Sequence, residues 1–348
     1  MSALASAKSA WLSGEALWIV LVTVSAYGIV PLAGTDYLLD AVLTPFLALS
    51  LAAVGLNVLT GYAGQVSLGS AAFLAVGAYA AYNLHLRVPA LPLLIDLVLA
   101  GGVAAAIGIV FGLPSLRLRG FYLAVSTLAA QFFVQWALTK FSWFSNDSPS
   151  GVIDAPVLTL GSIEFRSAGE RYLFSLTIVL VLTLLTLRLL RSQSGRNFVA
   201  VRDHEIAAKV IGVPLLRTKL LAFGFSSFLI GVAGVLWAFA YLRTVEPAGF
   251  NLDRSFQILF IIIIGGLASL RGAFIGAAFI VVFPLLLSRI GAALLGHVFD
   301  SGVLEMCQRI VIGALIIAFL IAEPRGLIAL CDRARAAIWP ARRPALPN

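Results

Sequence analysis

Apolar runs dominate this chain, and polar residues interrupt them only briefly. Runs of roughly 17–25 apolar residues, the length at which a helix spans hydrocarbon, fall near residues 16–34, 39–60, 70–85, 91–113, 120–140, 171–190, 219–242, 255–268, 271–290 and 303–322. They predict an all-α integral membrane protein with about ten transmembrane helices, those beginning at 70 and 255 being short. The run that starts near Ala16 is longer than a signal-peptide h-region, and no small-x-small cleavage site closes it. It is expected to stay in the mature chain as a helix.

Two of the runs are broken in a similar way. "TGYAGQVSLGSAAFLAVGAY" (60–79) and "IGGLASLRGAFIGAAF" (264–279) each interrupt apolar sequence with glycines and a Ser-Leu pair, then continue with small residues. Glycine-broken segments in corresponding positions of two halves point to an internal repeat whose irregular backbone lines a protein-enclosed path. Backbone broken at membrane depth must find hydrogen-bond partners inside the protein. Asn57, Gln65, Ser67, Ser70, Gln131, Gln135 and Gln257 are the neutral side chains able to supply them. Gln131 and Gln135, four residues apart, share a helix face. Two readings of these groups stand side by side: a polar passage for a small solute, or caps and interhelical contacts at ~0.6 kcal/mol each. Gly108 with Gly112 and Gly272 with Gly276 predict close helix packing.

Composition strengthens the membrane assignment. The chain of 348 residues is 61% hydrophobic and only 11% charged, and its mean hydropathy is +1.02. Too little polar surface remains to coat a soluble body of this size. The net charge of +8 could suggest nucleic acid, but the basic residues sit in short loops and the tail. With residues 191–219 placed inside and the spans alternating, about sixteen of the 24 Lys and Arg fall on the inner side, as the positive-inside rule requires. This places the N-terminus (1–15) and the basic tail (323–348) in the cytoplasm, around one polytopic domain over 16–322. It places the loop 141–170 outside, where "VLTLGSIEF" alternates as a short hairpin would. The lipid bilayer is the surrounding partner, and no nucleic acid is expected.

Chemistry is sparse. Charge inside the predicted spans is nearly missing, Asp96 being the main candidate and lying close to the outer end of its span, which disfavours ion-coupled transport. His85, His204 and His297 are far apart, so no metal site is expected; Cys307 and Cys331 cannot form a disulfide framework. There is no G-x-S-x-G and no G-x-x-x-x-G-K-[ST]. Any ATP that drives this protein is therefore hydrolysed by another chain.

The stretch "RSQSGRNFVAVRDHEIAAKVIGVPLLRTK" (191–219) is the exception, with six Lys or Arg side chains beside Asp203 and Glu205. Asn197 or Ser194 can cap a helix running to about Ile211, where Gly212 and Pro214 are stop signals. On it Glu205 precedes Lys209 by one turn, and Ile206 with Val210 form an apolar stripe. Such a helix is too short and too charged to span. A helix lying on lipid headgroups would explain Arg196 and Arg202 but not the acidic pair; a docking helix for a cytosolic protein explains both signs.

With these residues in view the chain resembles a family. "GRNFVAVRDHEIAAKVIGVPLLRTKLLAFGFSSFLIGVAGVL", "GLNVLTGYAGQVSLGSAAFLAVGAYAAY" and "ILFIIIIGGLASLRGAFIGAAF" are similar, in matching order, to signatures of permease subunits of ABC importers for branched-chain amino acids. Close relatives carry urea or short amides. The resemblance, over roughly residues 40–325, implies a bacterial inner-membrane half-channel that pairs with a second homologous permease. It further implies two cytosolic ATP-binding subunits and a periplasmic solute-binding protein, with ATP used by the partners and no cofactor bound by this chain. Gly195, Arg196, Arg202, Asp203, Glu205, Ala207, Ala208 and Gly212 match the cytoplasmic coupling loop. Asn57, Gln65, Ser67, Gln131, Gln135 and Gln257 are the expected lining of the translocation path. "SQSGRNFVAV" replaces the Pro-containing lead-in of many relatives, and Arg271 stands where many carry an uncharged residue. An ion-coupled carrier and a polytopic membrane enzyme are the rival classes.

Overall fold

A computed structural model describes residues 24–89, 91–116, 120–148, 152–160 and 163–295, together with isolated positions between 306 and 333. The first 23 residues, most of the predicted 303–322 span, most of the basic tail, both cysteines and His297 lie outside the described residues.

The fold is built from helices. After short turns at Val30–Ala33 and Asp36–Leu38, and a π-helical lead-in at Leu39–Leu43, the chain forms α1 (Thr44–Asn57), α2 (Ser70–Arg87), α3 (Leu93–Gly112), α4 (Phe121–Lys140) and α5 (Ala168–Arg191). Two short helices follow, α6 (Gln193–Asp203) and α7 (Glu205–Val210), and then α8 (Leu215–Val235), α9 (Leu252–Gly265) and α10 (Leu270–Leu295). Among the described residues six stretches are long and apolar enough to cross a membrane: Asp36–Tyr62, Leu93–Gly112, Ala168–Arg191, Leu215–Leu242, Pro247–Gly265 and Leu270–Arg289. α2 and α4 are two further helices of comparable length, 18 and 20 residues.

α1 and α8 form the centre. Of their most apolar windows 83% and 78% is buried inside protein, against 28–39% for the other four stretches. A helix apolar on all sides belongs either in lipid or in a core, and here only neighbouring helices decide which. Small residues set the approach. A Cβ on Gly108 would fall 2.1 Å from Ser227 Oγ on α8, and one on Gly276 would fall 2.0 Å from the Ile261 carbonyl of α9. The glycine pairs predicted to pack closely therefore do so, α3 on α8 and α10 on α9.

The segment after α4 carries three two-residue strands, and a fourth lies between α8 and α9. β2 (Thr159–Leu160) and β3 (Ile163–Glu164) pair antiparallel, as the alternation in that loop predicts, and β1 (Ile153–Asp154) pairs with β4 (Thr244–Val245). The second pairing ties the 141–170 loop to the segment that leads into α9. Arg171 on α5 reaches both carboxylate oxygens of Asp40 at 2.7 and 2.6 Å, pinning the lead-in of α1 at the same end.

Candidate functional site

The charged connector between α5 and α8 differs in detail from the expected single helix over 197–211. Ser192, rather than Asn197 or Ser194, is the cap, its Oγ accepting from the Ser194 N–H at 3.2 Å. The helix breaks at His204, whose φ of −151° and ψ of 94° are extended. The break starts a fresh helix at Glu205, whose carboxylate then sits in a first turn, where free N–H groups favour negative charge. Glu205 pairs there with Lys219 at 2.9 Å rather than with the expected Lys209. α7 ends in a Schellman motif: the N–H of Val213 donates to Ala208 O and that of Gly212 to Lys209 O. Gly212 holds the left-handed φ of +86° that this ending requires.

The connector presents two faces. Gly195, Phe198, Val201 and Ala208 are buried against the protein, Gly195 so closely that a Cβ would fall 2.1 Å from the Leu190 carbonyl. Arg196, Asp203 and Ala207 are exposed. Arg196 donates to Gln193 Oε1 at 2.6 Å. Ile206, Val210 and Ile211 are 73%, 81% and 75% exposed, so the predicted apolar stripe stands clear of the chain's own core. Of the predicted small pair, Ala208 is thus an internal contact and Ala207 is a surface residue.

Arg202 connects this loop to the first break. Its Nη1 donates to the Gly61 carbonyl at 2.9 Å, while its Nε pairs with Asp203 Oδ1 at 2.9 Å. Gly61 belongs to a π-helical stretch, Val58–Tyr62, that ends α1; irregular chain then runs to α2. Only glycine fits at 61, because a Cβ would lie 2.1 Å from Asn57 Oδ1 and 2.5 Å from the Ala268 nitrogen.

Ala268 is part of the second break. There Gly266 and Ala268 take φ of +120° and +57° between α9 and α10. Asn57 spans the gap: its Oδ1 accepts from Ala268 N–H at 2.9 Å and its Nδ2 donates to the Ser269 carbonyl at 2.8 Å. The two broken segments, more than 200 residues apart in sequence, are therefore one structural unit, with Arg202 latched to it.

The N-terminal end of α2 is held by side chains from elsewhere. Thr127 Oγ1 accepts from Leu68 N–H at 2.9 Å, Ser255 Oγ from Ala71 N–H at 2.8 Å and Gln131 Oε1 from Ala72 N–H at 2.5 Å. Gln131 Nε2 also donates to the Phe250 carbonyl at 2.8 Å. Helix starts leave such donors without intrahelical partners, and in hydrocarbon only protein can satisfy them.

The six residues expected to line a path thus divide. Asn57 and Gln131 are committed to backbone, and Ser67 Oγ accepts from Gly69 N–H at 3.3 Å. Gln65 is 4% exposed, and neither polar atom of its amide has a partner among the described residues. Gln257 accepts from Arg254. Gln135, one turn from buried Gln131, is only half-buried.

Three groups escaped the sequence reading. Thr127 and Ser255 look like ordinary helix residues until the start of α2 is placed beside them. Arg254 was assigned to a loop because the span was drawn from 255; the helix begins at Leu252, which brings Arg254 into the membrane-length stretch. Its Cζ lies 4.1 Å from the centroid of the Trp237 ring. Asp96 is buried in the first turn of α3, 3.5 Å from Nδ1 of His85 on α2.

Comparison with known proteins agrees with this architecture. The family described as branched-chain amino acid transport system, permease component, matches residues 38–320. The LivM permease protein of the high-affinity branched-chain amino acid transport system of Salmonella typhimurium is 33% identical over 298 residues, covering 79% of this chain and 66% of that protein. Its Escherichia coli counterpart is 32% identical over 298 residues, with the same coverage of 79% and 66%. The chain therefore spans about two thirds of the length of these curated relatives. The xylose transport permease protein XylH of Haemophilus influenzae is 30% identical over 190 residues, covering 53% of this chain and 46% of that protein. No solved structure matches.

Proposed function

This chain belongs to the family of permease components of branched-chain amino acid transport systems, and from that premise we propose that it is the membrane-spanning subunit of an ATP-driven importer. Its cargo in this reading is a branched-chain amino acid or a related small neutral solute. A second, homologous permease completes the channel, two cytosolic ATP-binding subunits supply the work, and a periplasmic binding protein delivers the solute. ATP is hydrolysed by those partners, at the inner membrane of a bacterium, with both termini of this chain in the cytoplasm.

The observation that carries the reading is the contact of Arg202 with Gly61. The exposed Ile206, Val210 and Ile211, on the same connector as the exposed Arg196, Asp203 and Lys209, offer a cytosolic ATPase apolar side chains together with charges of both signs. When the ATPases close, α6 and α7 move with them. Arg202 passes that displacement to the Gly61 carbonyl, and Asn57 passes it to the second break. Irregular backbone rearranges at lower cost than packed helix, so alternating access is a change in the two breaks driven from one end.

The test is reconstitution in vesicles with and without the ATPase subunits, following leucine uptake. Ile206→Asp is expected to reduce co-purification of the ATPases while leaving membrane insertion normal. Arg202→Gln is expected to keep the complex together but to uncouple ATP hydrolysis from uptake. Glu205 is a poorer probe, because its reversal to Lys would oppose Lys219 within this chain. Uptake driven by an ion gradient with this chain alone would overturn the proposal. The xylose permease relative favours a second cargo class, sugars; competition of leucine uptake by xylose, urea and a short amide separates the possibilities.

A further inference from the structure

Arg254, next to Asp253 in the chain, is a half-buried charge inside a membrane-length stretch that the coupling pathway leaves unused. An ionised side chain within a transmembrane segment is costly, by ~2.5–3.5 kcal/mol at the centre of the bilayer and less toward its ends, and such groups commonly serve a ligand or an ion. Arg254 stands in the first turn of α9, next to Asn251, whose Oδ1 caps the helix by accepting from the Arg254 backbone N–H at 3.1 Å.

The guanidinium is held but not neutralised. Its Cζ lies 4.1 Å from the ring centroid of Trp237, in the π-helical stretch Leu236–Leu242 that ends α8, and Trp237 in turn packs on Tyr241 with ring centroids 4.8 Å apart. Nη1 donates to Gln257 Oε1. Among the described residues no carboxylate comes within 4.0 Å of Arg254. Among the described residues its buried Nε has no partner, and neither has the indole Nε1 of Trp237, a side chain only 4% exposed. A structural arginine at such a position would be expected to finish its fork on a carboxylate or on carbonyls. Here the guanidinium is positioned by the indole and by Gln257, and part of its donor edge is left open beside a second donor. The free N–H groups of the first turn of α9 add positive potential.

This arrangement suits a carboxylate, which a planar guanidinium binds with two donors at once. Its location fits as well. α9 follows β4, which is paired to the loop that the charge bias places outside, so the group lies at the end of the permease where a delivered solute first meets it. We propose that Arg254, seated on Trp237 and steadied by Gln257, receives the carboxylate of the transported amino acid at the outer mouth of the pathway. The inference rests on the amino acid importer reading above and specifies how the solute is oriented.

Two measurements on the complete reconstituted complex test it. First, Arg254→Gln is expected to lower leucine uptake by about tenfold or more, roughly the loss of one charge-assisted interaction, with complex yield and basal ATP hydrolysis unchanged and with Arg254→Lys intermediate. Second, in the wild-type complex without ATP or binding protein, modification of Arg254 by phenylglyoxal, read by peptide mass, is expected to be slowed by millimolar leucine or acetate and not by leucinamide. Undiminished leucine uptake by Arg254→Gln would overturn the proposal, and so would a modification rate indifferent to both leucine and acetate. A variant that fails to assemble leaves the decision to the labelling of the wild type. If the wild-type complex carries no leucine yet acetate still protects Arg254, the anion site stands and the amino acid reading falls.

Discussion

The two broken segments, alike in sequence, are held in opposite ways. The first, from Gly61 to the start of α2, is long, and its exposed donors are satisfied one by one: Leu68 by Thr127, Ala71 by Ser255 and Ala72 by Gln131. Those three side chains come from two different helices. The second, from Gly266 to Ser269, is short, and among the described residues one side chain, Asn57, supplies both its outside donor and its outside acceptor, while Ser269 caps α10 through Gly272 N–H. Distributed support tolerates the loss of one member; a single support does not. The difference also says which break is the stiff hinge and which the adjustable one, because the first can exchange partners singly and the second only as a unit.

Breaking Asn57 should therefore have the largest effect. Asn57→Leu leaves a part-buried N–H and a part-buried carbonyl bare, each worth about 1–2 kcal/mol, so a loss of about 2–4 kcal/mol is expected, read as a lowered Tm and reduced folded yield in detergent. A Tm within error of the wild type would end the single-support argument. Gly61→Ala should come next: overlap with Asn57 Oδ1 and Ala268 N costs about 1–3 kcal/mol when atoms are forced into packed space, and it strikes both breaks together.

Gln131→Leu should cost about 1–2 kcal/mol, less than Asn57→Leu although Gln131 makes three bonds and Asn57 two, since Thr127 and Ser255 still hold the start of α2. Thr127→Val should be the mildest, near the ~0.6 kcal/mol typical of one interhelical hydrogen bond in a membrane protein. Thermal unfolding of all four variants under one set of conditions gives the ranking. Hydrogen exchange at Ala72 and Ala268 sharpens it, because Gln131→Leu should speed exchange only at the first and Asn57→Leu chiefly at the second.

Much of this was legible in the chain. Eight of the ten apolar runs fall on long helices among the described residues, the β2–β3 hairpin forms where alternation places it, and the glycines flagged for close packing meet their neighbours. The resemblance named the family that the comparison then established. What failed was partner assignment. Glu205 was matched with Lys209, one turn along a helix, because local spacing is all that a one-dimensional pattern offers; the break at His204 sends it to Lys219. Gln131 and Asn57 were marked as polar side chains near the core, and both are buried, but whether such a group faces a solute or a bare backbone donor depends on what the fold brings beside it. Arg254 was lost to a boundary drawn three residues late.

Hydropathy, glycine placement and the charge of the 191–219 connector by themselves determined a polytopic helical membrane protein with two broken spans and one charged connector. These follow from transfer free energies and backbone sterics, which act residue by residue. The joining of the breaks through Asn57, the hold of Arg202 on Gly61 and the seat of Arg254 on Trp237 were decided only by the tertiary structure. Each pairs groups separated by tens to hundreds of residues, and a hydrogen bond or a ring contact exists only when packing delivers both partners to within a few ångströms.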